Sequence, residues 1–147
     1  MKDTFRSDCP ICSMLDIIGD KWSLLIIRDM LLGHKKTFKE LVVTKESMVP
    51  SVLSARLKLL ESFNLISKRK LPQNLKENIY LLTDSGVGLA PVIYEIVNWS
   101  DKSVREFNKD IPTAEALGLG MERTSFIKTI QTSYEEMRSE VLDRNLS

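Results

Sequence analysis

The only two cysteines of the 147-residue chain stand together as Cys9-Pro10-Ile11-Cys12, just ahead of an apolar periodic segment. Amide dipoles at a helix N-terminus favour a thiolate, which makes the pair a candidate for oxidation or for attack on an electrophile. Asp8 and Asp16 flank the pair and oppose that charge, and a buried inert cysteine is the commoner outcome. A zinc site would need two further ligands, yet the chain has a single histidine, His34. No metal and no other cofactor is expected. As an enzyme, the chain would be a thiol oxidoreductase using Cys9 and Cys12. Such a pair normally sits in a βαβ setting that this sequence lacks, and no phosphate loop or catalytic dyad occurs elsewhere.

The second group able to do chemistry is electrostatic. The formal charge is +1, from 21 Lys and Arg against 20 Asp and Glu. Between His34 and Thr83, however, ten basic residues (Lys35, Lys36, Lys39, Lys45, Arg56, Lys58, Lys68, Arg69, Lys70 and Lys76) face four acids (Glu40, Glu46, Glu61 and Glu77). A basic middle inside an acidic frame suits a polyanionic partner.

These groups must be positioned by elements that the periodicity outlines. Residues 13–32 repeat apolar side chains at helical spacing, and Gly19-Asp20 divides them into two helices or one kinked one. Gly33 is a natural stop. Thr37 and Glu40 form a capping box that starts a short helix over 38–43. In 47–63, Pro50 fits a first turn and Leu53, Leu57 and Leu60 make one apolar stripe. Opposite that stripe lie Ser51, Ala55, Lys58 and Ser62, with Ser54 beside them, a small polar face that can approach a surface closely.

The period then changes. Residues 66–71 and 78–83 read as two strands of a hairpin whose first arm carries Lys68, Arg69 and Lys70. Because strand side chains alternate, Lys68 and Lys70 share one face and Arg69 takes the other. Thr83 to Gly86 reads as the start of a long amphipathic helix reaching about Phe107, with Leu89, Val92, Ile93, Ile96, Val97 and Trp99 on its apolar side. Pro112 follows its end, and a further helix occupies the acidic tail, through Phe126, Ile130, Tyr134 and Val141.

Helix, helix, short helix, serine-faced helix, basic hairpin and long helix is the order of a winged helix-turn-helix domain: α+β, mostly α, with a two-stranded wing and long C-terminal helices. In that architecture one helix enters the major groove while the wing and nearby lysines hold phosphates. The candidate DNA contacts are Lys36, Lys39, Ser51, Ser54, Ala55, Arg56, Lys58, Lys68, Arg69, Lys70 and Lys76. A winged adaptor that binds another protein is the alternative within the same fold.

Several ordered motifs also carry a resemblance. Cys9-Pro10, then Leu15-Asp16-Ile17-Ile18-Gly19-Asp20-Lys21-Trp22, then Thr37 to Leu41, Leu53 to Glu61, Tyr80 to Thr83 and Asp84-Ser85-Gly86 resemble HxlR-type transcriptional regulators from about Cys9 to Trp99. The resemblance implies a bacterial homodimer on a pseudo-palindromic double-stranded operator, with dimer contacts from the N-terminal helices and the long helix after the wing. Leu15, Ile18, Trp22, Ile93, Ile96, Val97 and Trp99 are the candidates for those contacts. It also implies that an N-terminal cysteine can sense oxidants or electrophiles. The chain departs from the pattern in two places. Val49, Pro50, Ser51 and Val52 replace polar or basic side chains in the first turn of the recognition helix, and the wing lacks a Pro-Pro pair.

The length suits one core, and 43% apolar against 28% charged residues suits a folded, water-soluble domain. No apolar run approaches the roughly 20 residues of a membrane span, and the first ten residues lack a secretory h-region, so a cytoplasmic location is expected. Residues 1–111 are expected to form the DNA-binding and dimerisation domain, and 112–147 a C-terminal helical extension outside the resemblance that offers further dimer surface. A small-molecule effector stays unidentified.

Overall fold

The computed structural model describes residues 5–144, so the ends of both expected segments, 1–4 and 145–147, fall outside it. The elements are α1 (Pro10–Ile18), α2 (Ser23–Gly33), α3 (Phe38–Leu41), α4 (Pro50–Ser62), β1 (Ile66–Leu71), β2 (Asn74–Leu82), α5 (Asp84–Val87), α6 (Ala90–Ser103) and α7 (Arg123–Asp143). The mostly helical fold with one antiparallel hairpin is the winged helix-turn-helix expected from the sequence.

The first helix starts at Pro10 rather than Ser13, because proline at a first helical position gives up only an amide that would be unpaired anyway. Cys9 is therefore the N-cap residue and Cys12 lies inside the first turn. The break at Gly19-Asp20 separates α1 from α2. Asp20 then holds the new helix: its Oδ2 accepts the amides of Trp22 (2.9 Å) and Ser23 (3.0 Å), and its Oδ1 accepts the hydroxyl of the fully buried Ser23 (2.6 Å). At the far end of α2 the left-handed residue is His34 (φ 53°) and not Gly33, which is the last helical residue.

Thr37 and Glu40 form the capping box and start α3, which is shorter than expected and ends at Leu41. The preceding residues do something the sequence did not announce. The Tyr80 amide donates to the Lys36 carbonyl at 2.7 Å and Thr37 bridges Ile79, so this segment makes a minimal third strand on the outer edge of β2. One bridge has no period to detect.

The stripe of α4 is buried as its spacing requires: Leu53, Leu57 and Leu60 are at most 3% exposed. Burying each contributes about 1.5–3 kcal/mol relative to leaving it in water. The helix ends in a left-handed Asn64 (φ 59°), with the Leu65 amide on the Leu60 carbonyl and the Asn64 amide on that of Glu61. This Schellman closure sets the angle at which the chain leaves α4 for β1.

In the hairpin Lys68 faces Tyr80, Arg69 faces Ile79 and Lys70 faces Asn78, with an irregularity only beyond Lys70. β2 begins at Asn74, four residues earlier than expected, because its exposed outer half offers no burial pattern to read.

The long helix expected from Thr83 is two helices. Thr83 caps α5 through the Gly86 amide, and a Cβ on Gly86 would meet the Leu65 carbonyl at 2.3 Å, so only glycine allows this approach. Pro91 stands in the first turn of α6, and a proline cannot donate to the carbonyl four residues back. That carbonyl, on Val87, instead accepts Gln131 Nε2 of α7 at 3.1 Å. α6 ends at Ser103, short of Phe107.

The apolar side of α7 turns into the chain itself rather than outward. Ile127 and Tyr134 belong to the same core as α2 and α4, with Phe126, Ile130 and Met137 packed against it. Tyr134 is fully buried and its Oη accepts the Leu82 amide (2.7 Å), while Arg138 donates to the Leu82 carbonyl (2.9 Å) and pairs with Asp84 (2.8 Å). α7 thus satisfies the backbone edge of β2 where the minimal strand at 36–37 stops.

Candidate nucleic-acid interface

On α4, Ser51, Ala55, Lys58 and Ser62 are exposed and Ser54 and Arg56 are half-buried. Val49 caps the helix without a side-chain hydrogen bond and Pro50 has no amide proton. The Val52 and Leu53 amides turn back to the Val49 carbonyl, while the Ser51 amide takes no partner among the described residues. A free amide on the positive end of a helix dipole is a ready donor for a phosphate oxygen.

The basic side chains divide by what already holds them. Lys35 donates to the Val43 carbonyl (2.6 Å) and lies 3.6 Å from Asp29, Lys36 donates to the His34 carbonyl (3.0 Å), and Arg56 lies 3.6 Å from Asp20. Lys39, Lys58, Lys68, Arg69, Lys70 and Lys76 form no ion pair with a described residue and are exposed. Lys39 and Lys76 line one depression between α3 and the wing, together with Phe38, Val42, Glu77, Asn78 and Tyr80. Tyr80 and Asn78 are the cross-strand partners of Lys68 and Lys70, so these two lysines share that wing face, and Arg69 takes the face of Ile79. Burial pushes the Tyr80 hydroxyl above its ordinary range, with the nearby Glu61 charge adding to the shift.

Burial works against the charge on Asp20, yet the bonds from Ser23 and Trp22 and the Arg56 guanidinium outweigh it and hold the carboxyl below the ordinary carboxylate range. Glu40 is held below that range in the same way, by the Lys36 and Thr37 amides against its burial. The Glu40 bond to Thr37 is the capping box expected from the sequence, whereas the approach of Arg56 to Asp20 was not visible there, the two being 36 positions apart.

The cysteines are both free, Cys9 exposed and Cys12 half-buried. Cys12 Sγ is 4.0 Å from Asp16 Oδ2, and Arg6 bonds the same carboxylate through its amide (3.0 Å) and Nε (2.5 Å). The Arg6 amide is the main cause that lowers the Asp16 carboxyl, so the acid that flanks Cys12 is already neutralised by a partner. Among the described residues no cluster of three or more His, Cys, Asp or Glu fits a metal, and no helix is long and apolar enough to cross a membrane.

The residues expected at a dimer contact do not share one environment. Ile18 is 3% exposed and sits in the core of the single chain, so it has no surface left for a partner. Trp22, Ile93 and Val97 are half-buried, whereas Leu15, Ile96 and Trp99 are 45–62% exposed. Ile11 and Met14, which are not among the residues expected from the sequence, extend the open apolar surface of α1.

The family profile described as HxlR-like helix-turn-helix matches residues 17–108. The HTH-type transcriptional regulator YodB of Bacillus subtilis is 34% identical over 95 residues, 64% of this chain and 84% of that protein. Among solved structures, PA1607 superposes with a TM-score of 0.62 at 29% identity, covering 69% of each chain. Reduced YodB superposes with a TM-score of 0.57 at 33% identity, covering 66% of this chain and 95% of that one. YodB is also known in diamide-treated and quinone-bound forms, at TM-scores of 0.53 and 0.55.

Proposed function

The chain belongs to the HxlR-like helix-turn-helix family of transcriptional regulators, and we propose that it reads double-stranded DNA as a homodimer in the cytoplasm. In this reading α4 enters the major groove, and the wing, with Lys39 on α3, contacts the phosphates or the minor groove beside it. The observation that carries it is the set of six exposed cations on α3, α4 and the wing that form no ion pair among the described residues, while Lys35, Lys36 and Arg56 are held by carbonyls or acids. Cations without a counter-charge of their own have most to gain from a phosphate.

The partner surface is the open apolar side of α1 and α6, from Leu15 to Ile96 and Trp99. A dimer repeats α4 about a twofold axis, so the operator is pseudo-palindromic, with half-sites about one DNA turn apart or a multiple of it. Cys9 and Cys12 would answer thiol oxidants or electrophiles. In support stand the exposed N-cap position of Cys9, the Arg6 counter-charge on Asp16 and the diamide-treated and quinone-bound forms of the relative.

A salt titration of binding to the DNA upstream of the protein's own gene tests the reading. A steep linear fall of log K with log salt is expected, at about 0.9 per neutralised phosphate. A flat response sinks it. Cys9→Ser should abolish any loss of binding caused by diamide; if wild type does not respond to diamide, the cysteines are structural.

A further inference from the structure

The corner between α1 and α2 sets a carboxylate beside α4, the helix proposed to read DNA. Asp20, Lys21 and Trp22 on one side and Ser51, Val52, Ala55 and Arg56 of α4 on the other line one shallow depression. Across it the Arg56 guanidinium approaches Asp20 Oδ1 at 3.6 Å. Asp20 is itself immobile, because three hydrogen bonds tie it to the start of α2 and to the buried Ser23 hydroxyl. The two cations of α4 are therefore unlike: Lys58 projects with no ion pair among the described residues, and Arg56 lies within ion-pair distance of an acid fixed on another element.

The tether changes what Arg56 can bind. An untethered arginine at the rim of a groove takes whichever phosphate it meets, which adds affinity for every sequence alike. Beside Asp20 a phosphate meets a repelling carboxylate, and the guanidinium already has a negative partner. The edge of a guanine is neutral and asks for a bidentate donor pair, which the planar guanidinium can offer from its remaining N–H groups. The carboxylate thus penalises backbone contacts more than base contacts. Building a repulsive element against the wrong partner is a general route to specificity.

We propose that Asp20 is a specificity-determining residue that acts by positioning Arg56: it withholds this guanidinium from non-specific phosphates and leaves its free donors for a base edge. The inference rests on α4 being the DNA-reading helix.

Asp20→Asn isolates the charge. With its oxygen toward the Trp22 and Ser23 amides, asparagine keeps both backbone bonds; its NH2 takes the place of the oxygen that faces Arg56 and donates to the Ser23 hydroxyl, which turns from donor to acceptor. Asp20→Ser, which keeps a capping oxygen, is the second variant should asparagine disturb α2. The probes are a random-sequence 30-bp duplex and a duplex of equal length selected by the wild-type protein from a randomised library. Asp20→Asn is expected to raise affinity for the random duplex about threefold or more and to steepen the salt slope by up to about 0.9 per protomer. The ratio of selected to random affinity should fall, and in an Arg56→Gln background the substitution should raise the random-duplex affinity much less, through loss of the carboxylate's own repulsion alone. A merely structural role for Asp20 would lower both affinities together, with a lower Tm.

The proposal is overturned if Asp20→Asn leaves the random-duplex affinity and slope at wild-type values, or shifts them equally with and without Arg56. If the wild type binds no duplex in a salt-dependent way, the DNA reading falls, and this inference falls with it. Wild-type binding without an Asn effect removes only the role of Asp20.

Discussion

The wing and α4 carry their positive charge in opposite styles. Lys68, Arg69, Lys70 and Lys76 stand exposed on a hairpin, paired to no acid among the described residues and spread over both of its faces. α4 has just two cations, one free and one bound to Asp20, set among small side chains: Ser51, Ser54 and Ala55. Unpaired charge on an exposed strand attracts any phosphate backbone, whereas a small-faced helix with one restrained arginine gains most from a fitting groove. In the proposed reading, the wing therefore serves affinity and α4 serves discrimination.

The largest effect should come from stripping the wing. Lys68→Ala with Lys70→Ala and Lys76→Ala is expected to weaken binding to all duplexes alike and to flatten the salt slope by about 0.9 for every phosphate no longer neutralised; fluorescence anisotropy at several salt concentrations measures it. A selective loss on the preferred site would break the comparison. Next comes Lys58→Ala: as the free cation of α4, Lys58 should matter to the selected and the random duplex by similar factors, with no change in urea stability.

Smaller is the effect of Tyr134→Phe, which leaves the Leu82 amide unsatisfied at the base of the wing. It should lower urea stability by about 1–3 kcal/mol, and an unchanged midpoint would show that α7 does not anchor the hairpin. The smallest concerns acid. Asp20 and Glu40 have folded pKa values below their unfolded ones, so their contribution is complete above about pH 5 and is lost as pH falls through the unfolded and then the lower folded values. A Tm profile from pH 6 to 3 should fall at its acid end, and Asp20→Asn should remove part of that fall.

Much of this arrangement was legible in the chain. Thr37 and Glu40 announced their capping box, the leucines of α4 their buried stripe, and Pro50 its first turn, because each is a local rule within one or two helical turns. The outer half of β2 was not legible, since an exposed strand has no apolar alternation. The division at Gly88-Leu89 was hidden by an apolar pattern that runs through both helices, and Pro91 decides it against the pattern. Among the candidate DNA-binding residues, the sequence grouped the central basic ones together but could not say which already had partners. Ile18 looked like a dimer surface because periodicity marks an apolar face without naming what covers it.

What the sequence by itself determined is the set of elements and their order, with a central excess of positive charge, because periodicity, caps and charge are properties of neighbours in the chain. Only the tertiary structure decided which cations stay free, that α7 finishes the edge of β2 through Tyr134 and Arg138, and that Asp20 meets Arg56. Those depend on distances between groups many residues apart. Such distances follow from how helices pack around a shared core, and nothing local encodes them.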